Sequence, residues 1–247
     1  MKTFFSMWKV ELRLSIRDMN MIIFALVMPL VVLVLLGIIY GKQTAYPGTD
    51  VTFLEQSFGA LTTISISAGG LMGLPILIAE YRERKILKRF WVTPIHPAVI
   101  LGVHLCLYVL YAIVSLVTLW ITAFIFWRVQ IRGSIGLFLG GWLFVLLSIL
   151  SIGLLVGGVS KNSKQASVIA SLLYFPMLVF SGATLPYEVM PLLMQRMVEV
   201  LPLTQGIKIL KAAMLGLPVG QIWISICLLG VLALFCIIGS VKFFRWE

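Results

Sequence analysis

The sequence predicts an all-α membrane protein with six transmembrane helices, and three observations carry that expectation. The chain of 247 residues is 61% hydrophobic and 11% charged, with a mean hydropathy of +1.09. A soluble domain runs nearer about 45–50% apolar and about 25% charged. Its uncharged stretches are long enough to span a bilayer, and its basic residues gather on one side of them. Too little polar surface remains to cover a water-soluble globule. A soluble enzyme, a disordered chain and a disulfide scaffold are therefore disfavoured, and a single transmembrane domain over 1–247 is expected.

The elements follow in order. Residues 1–20 read as an interfacial helix. At about 100° per residue, Phe4, Phe5, Trp8, Leu12, Ile16 and Met19 share one face, beside a stripe of Lys2, Lys9, Arg13 and Arg17. Such a helix buries its apolar face at the acyl boundary and turns its basic stripe toward headgroups. The first apolar run begins only after these charges, and no small-residue cleavage site follows it, so it reads as a span and not a signal peptide. Uncharged runs of about 20 residues or more mark spans. They place span 1 at 21–41, span 2 at 56–79, span 3 at 98–127, span 4 at 134–159, span 5 at 165–184 and span 6 at 219–241. Span 3 starts near Ala98 because Thr93-Pro94 and His96-Pro97 break a helix before it.

Charge sets the orientation. Of 19 Lys and Arg, 13 fall with the termini, the 80–97 loop and the 160–164 loop. The other six are Lys42, Arg128, Arg132, Arg196, Lys208 and Lys211. The positive-inside asymmetry puts both termini in the cytoplasm of a multi-pass plasma-membrane protein. The formal net charge of +10 is thereby explained without nucleic acid. Cys106, Cys227 and Cys236 lie in apolar runs, with no CxxC or Cys/His spacing for a metal.

The densest charge lies at Glu80–Arg89, where seven of ten residues are charged. Ile86, Leu87, Phe90 and Trp91 cluster at helical spacing within it, and Thr93-Pro94 closes it. Positive-inside charge accounts for the Lys and Arg but not for the interleaved Glu80 and Glu83 or the aromatic pair. An amphipathic helix over 80–93, gripping headgroups and docking a protein, is the structural expectation.

This stretch, EYRERKILKRFWVTP, resembles the "ERE..G.LERL..TPL" loop that follows the second span in permeases of the ABC transporter type-2 family. The pattern's Gly falls at Lys85 or Ile86, a departure. A second similarity lies in FPMLVFSGATLPYEVMPLLMQRMVEVLPLT, Phe175–Thr204, where Pro176, Ser181, Gly182, Pro186, Pro191, Pro202, Leu203 and Thr204 stand at matching positions. The two motifs occur in family order, and the resemblance covers the whole chain. It is nearest to drug- and antibiotic-export members, with polysaccharide- and lipid-exporting members much alike.

The resemblance implies a non-catalytic exporter subunit supplying half of a translocation pathway. A second permease copy, or a homologous permease, would complete a dimer, and separate ATPase subunits would bind ATP and Mg. This chain would bind no cofactor. Consistently, it has no GxxxxGK[ST] phosphate cradle, and Gly69-Gly70-Leu71-Met72-Gly73 reads as close helix packing. By the same resemblance, 80–93 is a coupling helix contacting the ATPase through Glu80, Arg82, Glu83, Lys85, Leu87, Lys88, Arg89 and Phe90. Residues 1–20 are an elbow helix. Residues 185–204 are re-entrant extracellular helices whose gate includes Pro186, Pro191, Met194 and Pro202.

The pathway is the least legible part. No charge lies inside the spans, and intramembrane charge is the usual pointer to ion routes. His104 reads first as a hydrogen-bonded structural histidine. An uncharged pathway suits a hydrophobic or amphipathic substrate: a drug, antibiotic, peptide or lipid. Phe24, Met28, Phe58, Met72, Phe175 and Phe180 are candidate lining residues, with Met177 beside them. Equally, they are packing or lipid-facing residues. Three alternatives stay open: a polysaccharide or lipid-linked glycan exporter of the same family, an ATP-independent secondary transporter or channel, and a non-transporting sensor of the same fold. An intramembrane enzyme is disfavoured, because Ser181-Gly182 lacks a GxSxG context and His96 and His104 lack an HExxH pattern.

Overall fold

The computed structural model describes residues 2–16, 22–41, 43–45, 50–86, 97–180, 195–196, 198–218, 220 and 222–243. Among these, eight helices build the fold. They are α1 (Lys2–Ser15), α2 (Met28–Tyr40, entered through a π-helical turn at Ile23–Val27), α3 (Phe53–Glu83) and α4 (Pro97–Trp127). They continue with α5 (Ile135–Val159), α6 (Ser163–Phe180), α7 (Pro202–Leu215) and α8 (Trp223–Phe243). Five of them, α3, α4, α5, α6 and α8, are long and apolar enough to cross a membrane, and α2 belongs to a shorter apolar helix, Ala25–Tyr40. Six spans were expected. The difference falls on the first run, whose helix opens in a π turn after residues 17–21, which lie outside the described set.

The bundle is organised around α3 and α5. α3 begins at a capping box: the Glu55 N–H donates to Thr52 Oγ1 (3.2 Å) and the Thr52 N–H donates to Glu55 Oε2 (3.0 Å). At 1.5 Å per residue its 31 residues reach about 46 Å, well beyond the roughly 30 Å hydrocarbon core. One end therefore projects past the apolar layer and carries Tyr81–Lys85. That end is termed the basic end here, and the Thr52 end the far end.

Small residues let α3 and α5 run side by side in the same direction. Phe58 meets Phe138 with ring centroids 6.1 Å apart. Further along, Gly153 presses on the Gly70 carbonyl so closely that a Cβ on Gly153 would collide with it, and Gly157 lies against Pro75 and Ile78. Gly70 belongs to a π-helical turn, Ala68–Gly73, and Gly73 faces the Tyr108 ring of α4. The glycine cluster is thus a packing device, as its sequence suggests. Between membrane helices, hydroxyls supply directional contacts. Ser65 of α3 donates to the Ala25 carbonyl in the first π turn (2.8 Å) and shares a hydrogen bond with Ser115 of α4 (2.6 Å).

α2 and α4 cover one side of α3, α6 covers its basic half, and α8 lies along α5. α7 is the element the sequence reading left unassigned. Its first turn begins with Pro202 at a position that tolerates proline. Its end is set by Gly216, whose φ of 71° lies in the left-handed region. Gly206 packs on Thr63 and Val145, halfway along α3 and α5, while Gly216 meets Gly133 at the far end. At about 21 Å for its 14 residues, α7 fills only the far half of the bundle. Eleven of those residues are buried.

Candidate functional site

The basic end of α3 presents three consecutive side chains to three different elements. Tyr81 Oη donates to both carboxylate oxygens of Glu11 on α1 at 2.9 Å each. Its ring stands edge-on to His104 of α4, centroids 4.8 Å apart. Arg82 turns inward, 6% exposed. It donates to the carbonyls of Gly157 (3.0 Å), Gly158 (3.1 Å) and Ser160 at the C-terminus of α5. Glu83 is exposed and accepts from the Ser163 N–H (3.0 Å) and Ser163 Oγ (2.6 Å) at the N-terminus of α6. The same turn is capped by Asn162, which accepts from the Gln165 N–H at 2.8 Å.

The chemistry follows helix electrostatics. The last carbonyls of a helix and its first N–H groups have no intrahelical partners, and they carry partial negative and positive charge respectively. A guanidinium on the α5 C-terminus and a carboxylate on the α6 N-terminus satisfy both. Burial holds the Glu11 carboxyl above its ordinary value, and the Tyr81 hydrogen bond pulls it partly back down.

Two findings differ from expectation here. First, a separate helix was expected to start at Glu80. Instead Glu80–Glu83 complete α3, with Glu80 pairing with Arg84 one turn on (2.6 Å). Second, Arg82 was expected at a protein-docking surface, but its guanidinium is spent inside the bundle. The signal was present: Leu74, Ile78 and Arg82 recur every four residues on the buried face. Glu83, Arg84 and Lys85 are exposed. Lys85 has φ 56°, the left-handed conformation that favours glycine. It is one of the two positions, Lys85 or Ile86, at which the pattern's Gly falls. Leu87, Lys88, Arg89 and Phe90 lie outside the described residues.

The lining candidates separate. Phe58 is 1% exposed and belongs to the core against Phe138, so it faces no open pathway within this chain. Met28 (48%) and Phe175 (53%) are exposed on α2 and α6. Met72 and Phe180 are partly exposed, and Met72 Sδ lies 4.0 Å from Ser171 Oγ. Phe24 stands in the first π turn. Met177 is buried on α6, which carries Pro176 within it. His104 is buried, and its Nε2 has no hydrogen-bond partner among the described residues. The expected hydrogen bond is therefore not made at Nε2 among the described residues, and the ring packs edge-on to Tyr81.

Pro202 opens α7 inside the bundle, whereas Pro186, Pro191 and Met194 lie outside the described residues, and Gly216 after α7 marks the far end. A charged pair not anticipated from sequence sits here. Glu55, with its side chain 6% exposed, binds Arg132 Nε at 3.1 Å, and Arg132 Nη2 also donates to the Asp50 carbonyl. The Thr52-x-x-Glu55 pattern ahead of an apolar run could have revealed a helix start at 53 and hence a carboxylate within it.

Comparison with known proteins agrees with this architecture. The profile of the ABC-2 type transporter family matches residues 2–215. Nodulation protein J of Neorhizobium galegae is 32% identical over 99 residues, 39% of this chain and 38% of that protein. The inner membrane transport permease YhhJ of Escherichia coli (strain K12) is 31% identical over 84 residues, 34% of this chain and 22% of that protein. Nodulation protein J of Rhizobium leguminosarum bv. viciae is 28% identical over 92 residues, 37% and 34% of the two chains. The matched region spans well under half the length of these relatives. With the family profile covering most of its length, and with a helical bundle apolar enough to lie in a membrane, the chain belongs to the ABC-2 type transporter family as a membrane permease component.

Proposed function

We propose that this chain forms half of the pathway of an ATP-driven exporter in a bacterial cell membrane, with its basic end in the cytoplasm. A second permease would complete the pathway, and separate ATPase subunits would dock at residues 80–93. The observation that carries this reading is the junction at Tyr81–Glu83. A push on the exposed Glu83, Arg84 and Lys85 reaches α1, α5 and α6 through three adjacent side chains. An amphipathic docking segment joined to such a junction suits the conversion of ATPase closure into helix movement. The exposed Met28 and Phe175 lie on α2 and α6, helices that both pack against α3. This apolar surface supports a hydrophobic or amphipathic substrate and a facing second permease. α7, confined to the far half of the bundle, supports a gate built from 185–204 and α7 on the outer side.

The test is charge reversal, Lys88→Glu with Arg89→Glu, in a chain co-expressed with an ATPase subunit. Loss of co-purification, or of substrate-stimulated ATP hydrolysis, is expected. Full retention of both would overturn the docking assignment.

A further inference from the structure

We propose that the cavity between α5, α7 and α8 at the far end binds one acyl chain of a membrane phospholipid, with its phosphate met by Arg132 and Ser134. The cavity has a volume of about 580 Å³, within the roughly 300–1,000 Å³ of small-molecule sites. Its mouth holds Arg132 and Ser134, and its depth is walled by Leu137, Phe144, Ile209 and Ile226. The room comes from missing side chains. Gly140 lines the cavity, and a Cβ built there would meet nothing within 4 Å.

Depth and polarity select the occupant. From Ser134 to Phe144 the helix advances about 15 Å, half of the roughly 30 Å hydrocarbon core and so one leaflet. Over that depth the wall turns from basic and hydroxylic to apolar, in the order a phospholipid runs from phosphate to tail. Arg132 keeps 39% of its side chain exposed while paired with Glu55, and a guanidinium offers five donors, enough for the pair and a phosphate oxygen. The first turn of α8 and the last turns of α7 contribute walls, so the bound chain lies alongside α7 in the far half of the bundle.

The experiment uses the full chain in detergent with phosphatidylglycerol carrying a diazirine on its acyl chain, followed by mapping of the adducts. Adducts on Leu137, Phe144 and Ile226 are expected, suppressed by excess unlabelled phosphatidylglycerol. Gly140→Leu should lower them about tenfold, and Gly140→Ala should keep them. A diazirine diacylglycerol with the same tails and no phosphate should label these residues at least fivefold less. Adducts confined to other faces of the protein overturn the site, as does undiminished labelling in a folded Gly140→Leu chain. Equal labelling by the diacylglycerol overturns phosphate recognition. The wild-type map and competition decide the matter even where Gly140→Leu does not fold.

Discussion

Arg82 and Glu83 are neighbours in the chain, yet each holds the end of a different helix: the Arg82 guanidinium closes the C-terminus of α5 and the Glu83 carboxylate closes the N-terminus of α6. Each charge has the sign that its helix end favours. Removing Arg82 leaves buried carbonyls without donors. Arg82→Met should therefore destabilise the folded chain by about 3 kcal/mol, read as a lowered unfolding midpoint in detergent. Arg82→Lys should recover only part, because a single ammonium cannot reproduce the planar fork. Glu83→Gln, at an exposed helix start, should lower the midpoint far less than Arg82→Met. An Arg82→Met chain as stable as wild type would show that the carbonyls find other partners.

Lys85 adopts φ 56° at the close of α3, where a side chain costs about 1–2 kcal/mol relative to glycine. Lys85→Gly should accordingly stabilise the chain by about 1 kcal/mol, and Lys85→Val should destabilise it. The check is the difference in thermal midpoint between the two variants. The same Lys85→Gly chain should show weaker ATPase association if the exposed ammonium contributes to docking, which separates a backbone effect from a side-chain one.

Glu55 and Arg132 form a pair with one partner nearly buried. Breaking a fully buried pair by removing one charge costs about 3–5 kcal/mol; with Arg132 39% exposed, solvent screening brings the cost below that range. Glu55→Gln and Arg132→Gln should each destabilise, and Arg132→Gln the more, since it strands the nearly buried Glu55 carboxylate, whereas a Gln at 55 can still close the α3 capping box. The double variant should cost clearly less than the two losses added together. Strict additivity in a double-mutant cycle would rule out the coupling.

Glu11 titrates where α1 docks on the bundle. Its carboxyl is raised above the ordinary value of 4.5 by burial, so the docked state binds the proton more tightly than the undocked one. Docking is then strongest below about pH 4.5, and it weakens as pH rises through the raised value. Glu11→Gln should remove this step while still accepting the Tyr81 hydrogen bond. A nitroxide at Lys9→Cys, in a chain whose native cysteines are replaced, reports it. Its mobility should rise with pH in the parent and stay flat in the Gln variant.

The spanning helices were legible because charge is excluded from long runs. Pro94 and Pro97 told where α4 could begin, and the structure starts it at Pro97. α7 was not legible. Lys208 and Lys211 interrupt its hydropathy, and its burial comes from facing α3 and α5, which no single-segment pattern reports. Charge density pointed to residues 80–89, but it could not separate Arg82, which turns inward, from Lys85, which turns out. Four-residue spacing from Ile78 makes that distinction. Phe58 was ambiguous for the reverse reason, since an aromatic on an apolar helix suits a core as well as a cavity, and Phe138 on α5 decided it. His104 carried no signal in its neighbours, because its contact, Tyr81, lies 23 positions away on another helix.

The π turn at Ala68–Gly73 has a consequence for phase. A π turn accommodates one residue more than the α-helical turn it replaces, and one residue is worth about 100° of rotation. Everything after Gly73 is therefore indexed differently from everything before it. With an unbroken α-helix, the far half of α3 could keep Phe58 on Phe138, but Arg82 would swing away from the α5 carbonyls and Tyr81 away from Glu11. The wide turn acts as an angular offset between two halves of one helix, so that a single rod engages α7 at one end and three other elements at the other.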